Sequence, residues 1–290
     1  MGLSLGEMNN AKNAVCDLNL SPGVQEQARR ITMARRVAVV TGAAQGIGKR
    51  TVELLAQRGY SLLLNDLRPA VEALNAAHAL TGDVLEIVGD VSDEAVAGEI
   101  AAVAMERWGR TDVLVNNAGI SLIAPAEKLS ATEYRRVLEV NLVAPFLLAK
   151  AFGTMMLRQG AGTLINVASV AGLVGVADRA AYNASKHGLI GLTRTLASEW
   201  GGRGVRVNAV CPAWVKTEMD VADQAAGGYT EADITNRVPM GRFASPDDIA
   251  RAIAFLADPH ESGFINGHAL VVDGGWIADG GWEALRLRHR

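Results

Sequence analysis

The chain reads VAVVTGAAQGIG over residues 37–48. An uninterrupted apolar run is typical of a strand covered on both faces, and the glycines that follow permit a tight turn into a helix. Backbone N–H groups at the start of such a helix attract phosphate groups. The spacing G-x-x-x-G-x-G differs from the commoner G-x-G-x-x-G. The position between a first strand and a first helix nevertheless favours a dinucleotide site.

The same strand-to-helix alternation continues along the chain. Amphipathic segments such as residues 47–58, 94–108 and 246–257 alternate with apolar runs at residues 37–40, 62–64, 84–88, 113–115, 163–167, 205–210 and 269–272. This alternation predicts an α/β fold: a single doubly wound, Rossmann-like domain, with a seven-stranded, mostly parallel sheet and helices on both faces. No Pro/Gly/Ser-rich linker interrupts residues 33–290, so we expect one dinucleotide-binding and catalytic domain there. Residues 1–32, before Met33, are predicted to be a poorly ordered N-terminal extension.

Composition excludes several classes of function. The chain has 290 residues and a formal net charge of −3, so no basic surface for nucleic acid is predicted. Cys16, Cys211 and the five histidines match no metal-ligand spacing, and no metal is expected. The apolar residues 137–152 contain charged and amide side chains, which favours a buried helix over a membrane span. No signal-peptide pattern is present at the N-terminus, and a cytoplasmic location is expected.

The motif AYNASKHG, residues 181–188, sets Tyr182 and Lys186 one helical turn apart. A tyrosine phenol ordinarily titrates near ~10, and a nearby ammonium stabilises its phenolate form. Such a pair can take a proton from an alcohol at working pH. The pair alone is a weak signal, because roughly one chain in ten of this composition would contain it by chance. Ser169, at the end of the fifth predicted strand, is a candidate to hold the substrate oxygen beside Tyr182.

Two carboxylates follow the second and third predicted strands. Asp66 lies some twenty residues beyond the glycines, where a carboxylate accepts both hydroxyls of an adenosine ribose and repels a 2′-phosphate. This favours NAD over NADP, although Arg68 and Lys49 are nearby cations. Asp90 is a candidate for the adenine edge, or else a cap of the following helix.

With these positions, the chain resembles the short-chain dehydrogenase/reductase family, in its single-domain NAD-type branch. The match extends from about residue 35 to residue 276, and its motifs occur in the family's order. They are the glycine turn of residues 41–48, Asn116-Asn117-Ala118-Gly119, Asn141, Ser169, Tyr182 with Lys186, and Pro212 with Thr217. One departure is Pro212-Ala213-Trp214, where the family usually has Pro-Gly, and Trp214 adds bulk beside the nicotinamide.

The resemblance implies roles for individual residues. Asn141, Ser169, Tyr182 and Lys186 would be catalytic, with Lys186 also bonded to the nicotinamide ribose. The Lys186 ammonium and the positive ring of the oxidised nicotinamide would together lower the pKa of Tyr182. The backbone of Val215 and the hydroxyl of Thr217 would meet the carboxamide, which implies pro-S hydride transfer. The complete set expected to bind the cofactor is Gly42, Gln45, Gly46, Ile47, Gly48, Asp66, Leu67, Asp90, Val91, Asn117, Ala118, Gly119, Tyr182, Lys186, Pro212, Val215 and Thr217.

Asn141 also carries a prediction from the residues themselves. Pro145, four residues on, has no N–H, so the carbonyl of Asn141 loses its helical partner and the helix should kink. A freed carbonyl can hold a water next to Lys186, which would give protons a route to solvent; a packing kink without a relay is the alternative.

The substrate pocket is predicted to be mainly apolar. Its expected wall is Ile120, Leu122, Ile123, Val170, Gly172, Leu173, Val174, Asn183 and Trp214, with residues 218–242 as a lid and cations available from Arg179 or Arg237. A secondary alcohol or ketone fits best, of diol, sugar-acid or hydroxyacyl type, oxidised with NAD. The alternatives are a 3-oxoacyl-thioester (acyl carrier protein) reductase using NADPH, and a dinucleotide sensor without turnover. The family resemblance implies a homotetramer.

Overall fold

The computed structural model describes residues 35–225 and 229–280. Every strand pairing in its seven-stranded sheet is parallel, in the order β3-β2-β1-β4-β5-β6-β7. The order reverses between β1 and β4, which makes the sheet doubly wound and confirms the predicted fold. The strands are β1 (Val37–Thr41), β2 (Ser61–Asp66), β3 (Val84–Val88), β4 (Val113–Asn116), β5 (Gly162–Val167), β6 (Val205–Pro212) and β7 (Ala269–Val272).

Helices connect the strands and agree closely with the periodicity of the sequence. The segments predicted at 94–108 and 246–257 have those bounds, and the first helix differs by one residue at each end. The helices are α1 (Gly46–Gln57), α2 (Val71–Thr81), α3 (Glu94–Trp108), α4 (Ala131–Leu138), α5 (Ala144–Gln159), α6 (Ala180–Trp200), α7 (Glu218–Ala225), α8 (Glu231–Arg237), α9 (Pro246–Ala257) and α10 (Pro259–Ser262).

The hydrophobic core lies on both faces of the sheet. Alternate residues of β1 point to opposite faces: Val40 packs with α1 and α9, and Val39 packs with α3 and α5. Each fully buried aliphatic side chain contributes about 1.5–3 kcal/mol. Burial on two faces explains why the central strands are nearly continuous apolar runs, whereas the edge strand β3 contains Glu86 and is only partly buried.

The helix that contains Asn141 is interrupted at the predicted point. A π turn, Glu139–Val143, separates α4 from α5, and Pro145 is the second residue of α5. Because Pro145 cannot donate to the Asn141 carbonyl, the backbone widens there instead of continuing as a regular helix. The predicted kink is thus present as a π turn.

The whole helical run Ala131–Gln159 is long and apolar enough to cross a bilayer by composition. However, 56% of its most apolar window is buried against the rest of the protein. This is the behaviour expected of a core helix.

The predicted extension, residues 1–32, lies outside the described residues, and so does Cys16. A single domain over residues 33–290 stays a prediction.

Candidate active site

A cavity of about 470 Å³ opens at the carboxyl ends of the strands. Such an edge is where ligands bind in open α/β sheets. Most of the residues predicted from the sequence line it. They are Gly42, Gln45, Gly46, Ile47, Asp66, Leu67, Asp90, Val91, Asn117, Ala118, Gly119, Ser169, Tyr182, Lys186, Pro212, Val215 and Thr217.

Gly48 is a predicted site residue that does not line this cavity. A Cβ at Gly48 would lie 1.9 Å from the Gly42 carbonyl oxygen and 2.6 Å from the Asn117 amide nitrogen. Its glycine therefore lets α1 pack directly against the turn. Gly42 itself has φ +64, the left-handed region that glycine adopts without strain.

The start of α1 suits a phosphate group. The residue before the helix, Gln45, makes no side-chain cap, and the first turn contains no acidic residue. The N–H groups of this turn therefore have no capping side chain, and they face the cavity that Gln45 and Gly46 line. These features fit the pyrophosphate of a dinucleotide.

The loop after β4 is bonded to the glycine turn. Thr41 Oγ1 accepts hydrogen bonds from the N–H groups of Asn117 (3.1 Å) and Ala118 (3.0 Å). The Asn117 amide donates to the carbonyl oxygens of Thr41 (2.9 Å) and Gly42 (3.0 Å). The side chain of Asn117 thus fixes the turn, while its backbone lines the cavity.

At the far end of the cavity, Asp66 is the last residue of β2. Its carboxylate accepts from the N–H groups of Ala44 (2.9 Å) and Arg68 (3.2 Å). The Arg68 guanidinium donates to the side-chain oxygen of Gln45 and also lines the cavity. Lys49 instead pairs with Glu72. Of the two cations considered from the sequence, Arg68 is therefore the one at this rim.

Asp90 forms an ion pair with Arg136, which was not predicted from the sequence. Arg136 pairs with it at 2.6 Å and also donates to Ser92 Oγ, which in turn donates to Asp90. Partial burial raises the pKa of the Asp90 carboxyl, but the hydrogen bonds from Ser92 and Arg136 outweigh it and hold the pKa below its usual range. The carboxylate is thus a charged acceptor at the cavity wall.

Tyr182, Ser169 and Lys186 meet at the opposite end of the cavity. The Lys186 ammonium lies 5.5 Å from the centre of the Tyr182 ring and donates to the Val167 carbonyl at 2.8 Å. Ser169 Oγ accepts from the Ala171 N–H at 3.1 Å and donates to the Pro212 carbonyl at 3.4 Å. The end of β5 and the first turns of α6 position the three groups.

The protein's own groups together raise the pKa of Tyr182. Burial raises the pKa of its phenol, and the hydrogen bond with Ser169 and the charge of Arg179 lower it only in part. The protein groups that lower the phenol pKa most are thus Ser169 and Arg179, and burial lowers the pKa of Lys186 itself to about 8. The predicted lowering was assigned to this ammonium together with the positive ring of an oxidised nicotinamide, so it stays a prediction for the enzyme with its cofactor bound.

Asn141 does not line the cavity. Its amide group clamps the backbone of Ile120, accepting from the N–H and donating to the carbonyl, both at 2.9 Å. It also donates to Ser185 Oγ at 3.2 Å. The side chain therefore ties the loop after β4 to α6, near Lys186, while the proline-freed carbonyl belongs to the π turn.

Comparisons with known proteins agree with this geometry. A family model described as enoyl-(acyl carrier protein) reductase matches residues 42–277. A D-threitol dehydrogenase of Mycolicibacterium smegmatis is 42% identical over 245 residues, which cover 83% of this chain and 92% of that protein. The chain belongs to the short-chain dehydrogenase/reductase family.

Other members of this family are also similar. A 3-oxoacyl-acyl-carrier-protein reductase of Thermotoga maritima is 36% identical over 244 residues, covering 83% of this chain and 98% of that one. A Beutenbergia cavernae crystal structure, described provisionally as an NAD(P)-dependent gluconate 5-dehydrogenase with NADP at low occupancy, is 42% identical. Its TM-score is 0.80, and the match covers 85% of this chain and 98% of that one. The protein is thus a nicotinamide-dependent oxidoreductase of the alcohol/ketone class.

The substrate wall of this short-chain dehydrogenase/reductase differs from the one predicted. Ile120, Val170 and Trp214 line the cavity, whereas Leu122, Ile123, Gly172, Leu173, Val174 and Asn183 do not. Gly172 packs on α6, where an added Cβ would lie 2.7 Å from the Lys186 carbonyl, and Asn183 donates to the Val174 carbonyl.

The wall also contains polar side chains that the sequence did not reveal as a group. Arg179, Ser121, Asp220, Asp223 and Tyr229 line the cavity beside Tyr182. The wall is mainly apolar as expected, but these charged and hydroxyl side chains are grouped at one end of it. The second suggested cation, Arg237, does not line the cavity; it pairs with Asp279 and lies over Trp276.

Trp214 closes the same end through an aromatic cluster. Its ring meets Trp276 at 4.9 Å and Tyr229 at 6.5 Å, both edge-on. These contacts connect the loop after β6 to the loop after β7 and to the segment before α8. The tryptophan that departs from the family pattern is thus a packed part of the wall.

Proposed function

We propose that this protein oxidises a secondary alcohol to a ketone with NAD, and catalyses the reverse reduction, with Tyr182 as general acid/base. The observation that carries the proposal is the single cavity with Tyr182, Ser169 and Lys186 at one end and an uncapped helix start beside Asp66 at the other. One end suits proton transfer and the other suits a dinucleotide.

The roles follow from the contacts. The nicotinamide supplies the hydride acceptor, and its oxidised ring carries a positive charge. Ser169 holds the substrate oxygen by a hydrogen bond, and the Tyr182 phenolate takes the hydroxyl proton as the carbon loses hydride. Lys186 keeps a positive charge near the ring of Tyr182 and orients the nicotinamide ribose. The alcohol thereby loses one hydride and one proton and becomes a ketone.

Asp66 supports NAD as the preferred dinucleotide. Its carboxylate is fixed by two backbone N–H groups at the rim where the adenosine ribose would bind, and it would repel a 2′-phosphate. The alternative is a 3-oxoacyl-thioester reductase using NADPH. The guanidinium of Arg68 in the same cavity favours that alternative, because it could pair with a 2′-phosphate.

Parallel calorimetric titrations with NAD and NADP distinguish these two functions. We expect tighter binding of NAD, and an Asp66→Ser variant should bind NADP about tenfold more tightly than the unaltered enzyme, since the repulsion is removed. Glu99→Gln, which removes an equal charge from an exposed site on α3 outside the cavity, is the control and should change neither affinity. Tighter NADP binding by the unaltered enzyme would reverse the assignment in favour of the thioester reductase.

Several finer features belong to the same proposal. Hydride transfer to the pro-S position would follow from carboxamide contacts of Val215 and Thr217, and a water on the Asn141 carbonyl would relay protons from Lys186. We also propose that the enzyme is a homotetramer, that it is located in the cytoplasm and that its substrates are small molecules.

A further inference from the structure

Two carboxylates, Asp220 and Asp223, lie beside Tyr182 in the cavity, each with its own hydrogen-bond partners. Arg179 pairs with Asp223 at 2.9 Å and donates to Ser121 Oγ at 2.6 Å, with the two charged side chains only 12% and 17% exposed. Asp220, which is buried, accepts from Tyr229 at 2.8 Å and from the amide of Gln224 at 2.9 Å. Both carboxylates come from α7, whereas Arg179 precedes α6.

The position of Arg179 is fixed by the backbone. Asp178, the residue before it, has φ +58, a left-handed conformation that is strained for a residue other than glycine. The Ala124 N–H donates to the Asp178 carbonyl at 2.8 Å, and Ala124 and Arg179 form an isolated parallel bridge. The guanidinium consequently stands 6.0 Å from the centre of the Tyr182 ring. Strain of this kind persists where the surroundings hold the residue in place, and such positions cluster at functional sites.

Hydrogen-bonding capacity remains in the Arg179–Asp223 pair. Both bonds found to Asp223 end on its Oδ2, and among the described residues no hydrogen bond reaches its Oδ1. The guanidinium uses Nη1 and Nη2 for Ser121 and Asp223, which leaves the Nε–H without a bond among those residues. The pair therefore offers an acceptor and a donor next to the proposed base.

The charge at this end selects against an anionic substrate. Asp220 and Asp223 contribute two negative charges; the Arg179 guanidinium is already paired with Asp223, and the Lys186 ammonium donates to the Val167 carbonyl. A carboxylate group placed against Asp223 would therefore meet a like charge. A hydroxyl group, in contrast, can donate to a carboxylate and accept from a guanidinium at the same time.

We propose that the substrate is a neutral polyol, with a second hydroxyl next to the reacting one bound by Asp223 and Arg179. The proposal rests on the proposed function, because it assumes that the reacting hydroxyl binds at Tyr182 and Ser169. Asp223 and Arg179 are then specificity-determining residues. A site whose buried polar groups bond a hydroxyl strongly rejects the analogue that lacks it, since those groups stay unpaired.

Matched alcohols test this directly. The unaltered enzyme is assayed with butane-2,3-diol, butan-2-ol, erythritol, 3-hydroxybutyrate and 3-hydroxybutyryl-N-acetylcysteamine, each with NAD and NADP. We expect kcat/KM for the diol to exceed that for butan-2-ol by about 10- to 100-fold, the size of one hydrogen bond to a charged group. Erythritol should be oxidised at least as well as the diol, and the carboxylate and the thioester poorly.

An Arg179→Met/Asp223→Leu double variant removes the pair without leaving one buried charge alone. The diol-to-monool ratio of kcat/KM should fall to about one, mainly through a higher KM for the diol. Glu231→Gln, which breaks the exposed Lys216–Glu231 ion pair on the neighbouring α8, is the control and should leave the ratio unchanged.

The outcomes separate the two proposals. Turnover of butan-2-ol and the diol at equal efficiency by the unaltered enzyme, an unchanged ratio in the double variant, or a preference for the carboxylate would overturn the polyol assignment alone. A preference for the thioester with NADP would overturn it together with the proposed function, in favour of the alternative reductase. Failure to oxidise any of these alcohols with either dinucleotide would refute the proposed function, and this inference with it.

Discussion

A Tyr182→Phe enzyme is expected to retain its fold and its affinity for the dinucleotide, and to lose about 10²- to 10⁴-fold in kcat, the range for removal of a general acid/base. The variant keeps the ring beside Lys186 and removes only the hydroxyl that bonds to Ser169. The loss should appear in kcat more than in KM, because proton transfer takes place only in the transition state. Steady-state oxidation of butane-2,3-diol is the measurement.

Tyr134→Phe is the matched control for that variant. Tyr134 lies on α4 and does not line the cavity, so the same chemical change there should leave kcat within about twofold. Equal rates for Tyr182→Phe and the unaltered enzyme would remove Tyr182 from the chemistry, and with it the proposed assignment of Ser169 as its partner.

A Gly48→Ala variant is expected to be destabilised by about 1–3 kcal/mol and to bind the dinucleotide poorly. Its new Cβ would lie 1.9 Å from the Gly42 carbonyl oxygen, a backbone atom that also accepts from Asn117. The turn or α1 must therefore shift, and the first-turn N–H groups shift with it. Chemical denaturation gives the change in unfolding free energy, and calorimetry with NAD gives the change in affinity.

Gly98→Ala is the control for the glycine variant. Gly98 lies within α3, where an added Cβ meets no atom within 4 Å. Alanine there should stabilise the helix by about 0.5–1 kcal/mol, because glycine loses more backbone freedom on folding. If Gly48→Ala were as stable as the unaltered protein and bound NAD equally well, the close packing of α1 on the turn would not be needed for the site.

The strands of the sheet were predictable because each is determined by a short, continuous stretch of the sequence. A strand buried on both faces is mainly apolar, and residues 37–40 and 113–115 show this directly. The π turn was predictable as an interruption, since it depends on one missing N–H at Pro145. The Tyr182–Lys186 contact follows from helix geometry alone. In each case, the determining residues are neighbours in the chain.

The substrate end of the cavity was not predictable, because its contacts join residues that are far apart in the sequence. Arg179 meets Asp223 across 44 positions, and the packing of α7 over the cavity brings them together. The same reason applies to the pKa of Tyr182 in the free protein: the sequence places Lys186 nearby, but burial by the whole fold has the largest effect on the phenol and raises its pKa. Arg136 beside Asp90 is a third contact of this kind, and sequence spacing carried no signal for it.

The central claim is that bound NAD, through its positive ring, makes the Tyr182 phenol acidic. Titration of phenolate absorbance in the free and NAD-bound enzyme, with the Tyr182→Phe spectrum subtracted to remove the other tyrosines, measures this directly. The account predicts a pKa above the ordinary value in the free enzyme, where burial dominates, and a lower pKa with NAD than with its reduced form. An identical phenol pKa in the free, oxidised and reduced complexes would contradict it.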